Sequence, residues 1–442
     1  MNKMNKNINQ EKYEKYYSAV SYLESLGNIG GGYQKTNLKS HPHPEMFIER
    51  MKSFLKLVGN PENNFKFIHI TGTSGKGGVS SSIHSSLIIS GKKTGLFTSP
   101  FVVSTIEKIK VGDKYIDPLV FADITESLKP HIDESIRSSK HGAPSYFELI
   151  FTIALIYFKM EKCEYVVLEV GLGGRYDATN IIKNPLVTAI TNIDLDHTNI
   201  LGKNVEEIAR DKIGIVKKGS TFFTTEENPK LIEIFKKTCK EIGVNVNILD
   251  VKNLNYKERN ELLVNSICKY LKIESNNEKF NKKIEFKNIL PARFEIIKNN
   301  PHIIIDGAHN PSKIKSTLYN LSKLKYNKLY VLFAISADKD WKSVIKMIIP
   351  LADTIYVTRF GIPGRNCISP KLLLNSIVEI SKGKCKTKLY SDPVQAFLKL
   401  KEKLSKKDIL LVTGSFYLAG DIRKLYCSEE QILKQRNSDI LI

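Results

Sequence analysis

Little in this chain points to an oxidising compartment or a membrane. Its six cysteines, at 163, 239, 268, 367, 385 and 427, include no CxxC pair and no regular spacing. That argues against a disulfide framework or a zinc site and fits reduced thiols. The longest nearly pure apolar run, Leu149 to Phe158, is half of the roughly 20 residues that a membrane-spanning helix needs. The N-terminal segment is dense in Lys, Asn and Glu and has no apolar h-region, so no secretory signal is read there. No Arg-rich or aromatic-interleaved basic stripe occurs, and no short-period repeat. The expectation is a cytoplasmic monomer with no membrane or nucleic-acid partner.

What the chain does have is length and positive charge. Its 442 residues are 42% hydrophobic and 26% charged, ordinary for a globular protein of two or three domains. The net charge of +21 favours anionic partners such as nucleotides and acidic metabolites. The lysines are scattered, however, and read mainly as solvated faces. Charge alone selects no function.

Residues 1–12 read as a polar tail. Helical spacing follows over Tyr13–Leu26 and again over Met46–Val58, with a Gly-rich loop, Gly27–Pro44, between them. His41 and His43 in that loop read as loop residues rather than metal ligands. A short strand, Phe67–Ile70, enters a glycine-dense turn, and a helix is expected from about Val79 to Ser90. Strands then alternate with helices: Tyr165–Val170, Leu186–Asn192, Thr221–Thr224 and Val244–Leu249 against Tyr146–Met160, Val205–Ile215 and Leu231–Ile242. Such alternation predicts a mainly parallel α/β sheet. The charged stretch Glu274–Lys287 reads as a linker. A second series begins after it, with strands at His302–Asp306, Leu329–Ile335, Thr354–Val357 and Ile409–Thr413. The expected division is 1–45 as tail, helix and loop, 46–290 as a first α/β domain and 291–442 as a smaller second one.

Three segments carry chemistry. In Ile68–Val79, a strand runs into Thr73-Ser74-Gly75-Lys76-Gly77-Gly78-Val79 and then a helix. Glycines let backbone N–H groups close on phosphate oxygens, the helix N-terminus adds positive potential, and Lys76 is a point charge. The spacing is not GxxxxGK[ST], because Ile70 stands five residues before Gly75. In Leu168–Asn180, Glu169 sits near the end of an apolar strand, at the edge where open α/β sheets bind ligands. A dinucleotide GxGxxG reading fails there, since Tyr176 occupies the last glycine position. In Asn192–His197, an Asp and an imidazole follow another strand. Carboxylate, imidazole and phosphate loop at one edge suggest a divalent ion bridging nucleotide phosphates.

These segments resemble the Mur ligase superfamily, most closely its folylpolyglutamate synthase and dihydrofolate synthase branch. That branch carries HVAGTNGKGS at His69–Gly78, TSPHL at Thr98–Val102, YFE at Tyr146–Glu148 and EVGLGGRLDATN at Glu169–Asn180. Its DH motif matches Asp196-His197, IAREKAGI resembles Ile208–Ile215, and PGRFE resembles Pro291–Glu295. DGAHNP follows at Asp306–Pro311, DKD at Asp338–Asp340 and a TGS strand end at Thr413–Ser415. The matches run in order over roughly residues 45–425.

The resemblance implies a Mur-ligase-type P-loop ATPase domain followed by a smaller Rossmann-like α/β domain. It implies ATP and magnesium, two ions, as cofactors, with L-glutamate and a folate or dihydropteroate as substrates. Thr73 to Val79 would hold the phosphates; Ser99, Glu169 and His197 would ligate magnesium; Lys212 would do so as a carbamate. Asn260, Arg293, Asp306 and His309 would contact the nucleotide, the last three from the second domain. Ser145, Tyr176, Asp177 and Ala178 would line the acceptor. Lys76, Lys212, His197 and Arg293 would be the catalytic set, and domain closure would exclude water. The chain departs from the family pattern at Ser74 (for Asn), Gly78 (for Ser), Phe101 (for His), Lys108 (for Arg) and Ala292 (for Gly). Two other readings are a Mur-type ligase with a different carboxylate acceptor and a catalytically weak nucleotide-binding paralogue. No extra UDP-binding domain is expected before His69, which weighs against the first of these readings.

Overall fold

Strands rich in Val, Ile and Leu over their whole length can only be accommodated with both faces covered, which favours parallel sheets sandwiched by helices. The computed structural model describes residues 2–28, 43–273, 290–361 and 366–440. It separates into two α/β units, one built from residues up to 289 and the other from 290 onward, with Pro100–Ser104 clustering with the second. His41 and the stretch Glu274–Lys287 lie outside the described residues.

The first unit contains β1 (Lys66–Thr71), β2 (Thr94–Phe97), β3 (Ile109–Val111), β4 (Lys114–Tyr115), β5 (Tyr165–Glu169), β6 (Val187–Ile190), β7 (Thr221–Thr224) and β8 (Asn245–Ile248). They form one sheet in the order β4-β3-β2-β5-β1-β6-β7-β8. All neighbours are parallel except β3, which runs antiparallel to β2 and β4. Its helices are α1 (Asn2–Ser25), α2 (Met46–Leu57), α3 (Lys76–Ile89), α4 (Pro118–Ser138), α5 (Tyr146–Met160), α6 (Val205–Lys212), α7 (Pro229–Ile242) and α8 (Tyr256–Tyr270). Ile68 and Ile70 of β1, Val167 of β5 and Ala189 of β6 pack with Val79 and Ile83 of α3 and Leu263 of α8 in one buried cluster.

The second unit contains β9 (Glu295–Lys298), β10 (His302–Ile305), β11 (Leu329–Phe333), β12 (Thr354–Val357), β13 (Lys386–Leu389) and β14 (Ile409–Thr413), in the order β13-β12-β11-β14-β10-β9. Only β9 is antiparallel. Helices α9 (Pro311–Ser322), α10 (Trp341–Ile348), α11 (Pro370–Ser381), α12 (Pro393–Lys401), α13 (Phe416–Arg423) and α14 (Glu429–Gln435) accompany it. No helix among the described residues is long and apolar enough to cross a membrane.

Two expectations need correcting. Residues 2–12 form the first turns of α1 rather than a tail. The later turns of α1 bury Tyr16 and Leu23, and the Tyr16 ring meets Phe121 of α4 edge-on at 5.6 Å. That packing supports a helix whose polar first turns show no periodicity. The helix after the glycine turn starts at Lys76, not Val79, because Gly75 in the left-handed region at φ 83° already serves as its N-cap.

The start of α5 is fixed by charge. Ser145 and Glu148 form a capping box: the Glu148 carboxylate accepts from the Ser145 N–H at 2.6 Å, and the Ser145 hydroxyl accepts from the Glu148 N–H at 3.5 Å. The same carboxylate receives the Arg50 guanidinium of α2 at 3.0 and 3.1 Å, with both side chains buried. One ion pair therefore ties α2 to the N-terminus of α5. Removing a single partner of such a pair strands the other charge. Glu148→Ala should cost about 3–5 kcal/mol of stability, read as a lowered urea midpoint; a midpoint unchanged from wild type would contradict this role.

Candidate active site

In a parallel sheet the loops at the carboxyl ends of the strands emerge along one edge, and neighbours in the sheet place their loops side by side. Ile70 of β1 lies opposite Glu169 of β5, Thr71 opposite Ile190 of β6, and Phe97 of β2 opposite Leu168. The register thus collects Ser99, Glu169, the glycine loop and the segment Thr191–His197 at a single edge. Strand order reverses around β1, which is where open α/β sheets form their binding crevice.

The glycine loop is shaped by close approach. At Gly72, with φ at 146°, an added Cβ would stand 1.9 Å from the Thr191 hydroxyl oxygen. At Gly75 it would stand 2.9 Å from the Asn260 carboxamide, so α8 delivers Asn260 against the loop. Lys76 opens α3, and its ammonium donates to the Gly72 carbonyl at 2.8 Å. The first intrahelical bond is from the Val79 N–H to the Gly75 carbonyl. The preceding amides of Lys76, Gly77 and Gly78 are helix-terminal donors, suited to an anion. The amides of Thr73 and Ser74 are engaged instead, by the Asn192 carbonyl and the Asn192 side chain, both at 2.9 Å.

Glu169 is buried and accepts the Ser99 N–H at 3.0 Å. His197 is half-buried in left-handed conformation at φ 51°, with its main-chain N–H donating to the Asp196 carboxylate at 2.9 Å. Among the described residues no three His, Cys, Asp or Glu side chains converge as a metal-ligand group. That sparse set still suits magnesium, which takes one or two protein carboxylates and completes its shell with phosphate oxygens and water.

Lys212 ends α6 fully buried. Burial pushes its amine down to about 7, and the charge of Lys76 acts in the same sense, against Asp211, Asp196 and Asp177. Its main chain is crossed closely by Gly174, where a Cβ would stand 2.7 Å from the Lys212 carbonyl. In the same loop the Asp177 carboxylate is occupied by the Leu172 N–H at 2.9 Å and by the N–H and hydroxyl of Thr179. Ala178 is buried at the start of a short 3-10 turn that Asp177 caps, and Tyr176 packs on the core beside it. Asp177 and Ser145 are thus tied into the architecture of their loops. Sequence reasoning passes over His69, whose Nε2 meets the Thr179 hydroxyl at 2.8 Å. A lone histidine on a buried strand gives no signal of that partner.

In the second unit, Arg293 stacks its guanidinium on the Phe416 ring at 4.0 Å, and His309 meets the same ring edge-on. His309 Nδ1 lies 2.7 Å from the Gly307 carbonyl, and Nε2 lies 3.0 Å from the Lys313 ammonium. The carbonyl requires a proton on Nδ1, so Nε2 accepts from Lys313 and the imidazole is neutral. Asp306 is held by the Thr317 hydroxyl at 2.6 Å and the Ala308 N–H at 3.1 Å, and burial raises its carboxyl to about 6. Lys313 and Phe416 are additions that the motif pattern alone does not single out as site residues.

Residues 70–297 match the Mur ligase middle domain, and residues 292–416 match the Mur ligase, glutamate ligase domain. The chain belongs to the Mur ligase family. This Mur ligase is 30% identical over 407 residues to the dihydrofolate synthase/folylpolyglutamate synthase of Buchnera aphidicola subsp. Schizaphis graminum, covering 85% of this chain and 91% of the relative. To the Bacillus subtilis protein of the same name it is 28% identical, over 85% of this chain and 94% of the relative. Its fold superposes on Mycobacterium tuberculosis folylpolyglutamate synthase complexed with ADP with a TM-score of 0.82 at 21% identity, covering 94% and 98% of the two chains. With E. coli FolC in complex with DHPP and ADP the TM-score is 0.74 at 25% identity, covering 92% and 97%.

Three departures from the family pattern now have physical readings. Ala292 sits at φ 53°, in the left-handed region that glycine enters without strain, so the family glycine answers a backbone demand that Ala meets at a cost. Lys108 is buried over the Tyr146 ring at 4.6 Å, and burial lowers its amine to about 7. Gly78 opens onto space: a Cβ there would have nothing within 4 Å. Gly78→Ser in this Mur ligase should therefore leave stability within about 0.5 kcal/mol of wild type. Gly72→Ala should cost more than about 1 kcal/mol, from a poorly tolerated φ and the Thr191 collision. Equal thermal melts for the two variants would contradict this reading of the loop.

Proposed function

We propose that this Mur ligase joins L-glutamate to a folate-type carboxylate at the expense of ATP, releasing ADP and phosphate. The acceptor class spans dihydropteroate, giving dihydrofolate, and tetrahydrofolate, giving polyglutamates. The observation that carries the reading is the edge where Lys76 and the first amides of α3 stand beside buried Glu169 and Lys212. Near-full-length similarity to relatives named for this activity supports it. The same reading makes 46–290 the ATP-binding domain and 291–442 the glutamate ligase domain of a cytoplasmic monomer.

In the reaction, an acceptor carboxylate oxygen attacks the γ-phosphorus of ATP, and the bond to the β-γ bridging oxygen breaks. An acyl phosphate and ADP result. The glutamate α-amine then attacks the acyl carbon, loses a proton, and phosphate leaves. Lys76 and the amides of Gly75 to Gly78 hold the β- and γ-phosphates and stabilise charge that moves onto the leaving oxygen. Ser99, Glu169 and His197 would hold magnesium, which would supply neutralising charge at the phosphates, and a carbamate on Lys212 would serve a second ion. Asn260 flanks the loop, Arg293, Asp306 and His309 are assigned to the nucleotide, and Ser145, Tyr176, Asp177 and Ala178 to the acceptor side.

ADP release should require glutamate together with dihydropteroate or tetrahydrofolate, and the product should gain glutamate by mass. Chelation with EDTA should stop it and added magnesium restore it. Lys76→Ala and Glu169→Gln should each lower turnover by about a hundredfold or more while the fold persists. Acceptor-independent ADP release, or near-wild-type turnover of either variant, would refute the assignment.

Lys212 offers a separate check. A lysine whose burial holds it at about 7 presents neutral amine near physiological pH, the form that reacts with CO₂. Activity should fall in CO₂-depleted buffer, and Lys212→Ala should be weak and partly rescued by acetate. Full activity of Lys212→Ala without acetate would exclude the carbamate.

A further inference from the structure

The loop that follows β6 does more than carry Asp196 and His197 to the edge. Asn192 accepts the Thr73 N–H on its carbonyl and the Ser74 N–H on its side-chain oxygen, both at 2.9 Å. The Thr191 hydroxyl donates to the Ser74 carbonyl at 2.6 Å. The Thr73 hydroxyl donates to the Asp194 carbonyl at 3.1 Å and lies 3.0 Å from the Asp194 N–H. Ser74 is therefore held at both its amide and its carbonyl by residues more than a hundred positions away. The gripping segment is itself braced: the Ile193 N–H donates to Glu226 at 2.8 Å, and the Thr225 hydroxyl donates to the Thr191 carbonyl.

A glycine-dense loop left to itself would sample many conformations, and ordering it on binding would weaken affinity. The clamp removes that freedom before any ligand arrives. It also divides the loop. Thr73 and Ser74 have spent their amides on the β6 edge, so the amides available to an anion begin further along, at the start of α3. Since Ser74 is held through its main chain, serine there keeps both clamping bonds that asparagine would have made.

We propose that Asn192 is a positioning residue for the phosphate loop: with Thr191 and Asp194 it fixes Thr73–Ser74 as a rigid shoulder, so that the nucleotide phosphates are read by the amides from Gly75 onward. The proposal rests on the ATP reading above. Asn192 acts through the loop, by its bonds to the Thr73 and Ser74 amides.

Asn192→Ala removes the side-chain acceptor while the main-chain bond to Thr73 persists. ATP binding by titration calorimetry should weaken about tenfold, the size of one lost buried hydrogen bond. The KM for ATP should rise in step, while the KM values for glutamate and acceptor stay within about twofold of wild type. Thr191→Val, which keeps the side-chain shape and loses only the hydroxyl, should show the same selective effect. The double variant should bind ATP more tightly than the product of the two single effects requires, because both residues hold Ser74. Thermal melts of each variant check folding, and Thr191→Val carries the test if Asn192→Ala does not fold. ATP affinity within twofold of wild type in the folded variants overturns the clamp, as does an acceptor KM that rises as much as the ATP KM. A wild-type chain that fails to bind ATP overturns the nucleotide reading itself.

Discussion

The organisation of the candidate site depends on the grip of the β6 edge on the glycine loop. β1 is a central strand, paired with β5 and β6, and the chain must turn sharply from it into α3. Glycine permits that turn at Gly72 and Gly75 but does not select one conformation of it. Selection comes from Thr191, Asn192 and Asp194, and from Asn260 filling the space that a side chain at Gly75 would need. The amides at the head of α3 are thereby held at the same sheet edge as Glu169, with the Lys76 ammonium tied back to the Gly72 carbonyl.

Around that point the protein buries charge in a graded way. Arg50 and Glu148 pair with one another and hold α2 on the capped start of α5. Lys212 is buried among groups of both signs, and its amine is held near neutrality. Burying an ammonium disfavours its charged form, so such a lysine is poised for chemistry that a solvated lysine at its usual value cannot perform. Asp177 shows the opposite use of burial: its carboxylate is consumed by Leu172 and Thr179, which fixes the loop lying over the Lys212 main chain.

Much of the fold is legible in the sequence where both faces of a strand are buried. Thr221–Thr224, Thr354–Val357 and Ile409–Thr413 declare themselves as apolar runs. The helix Tyr146–Met160 is legible at both ends, and Ser145-x-x-Glu148 carries its own capping signal. β13, with the sequence KTKL, is a largely exposed edge strand too short and too polar to stand out. The first turns of α1 are hidden because they are polar and carry no helical periodicity. The phosphate loop is legible from its glycines and Lys76. Its clamp is not, because the bonds link main-chain atoms of Thr73 and Ser74 to a segment that local pattern cannot pair with them. Arg293 and His309 are legible through their motifs, whereas their shared platform, Phe416, is a packing fact of the second unit.

In the proposed reaction this edge activates a carboxylate by phosphorylating it. Oxygen-18 placed in the acceptor carboxylate reports that step, with the released phosphate analysed by mass after a glutamate-dependent turnover. Transfer through an acyl phosphate predicts one labelled oxygen in the phosphate for each amide formed. Phosphate free of label alongside labelled amide product would contradict it.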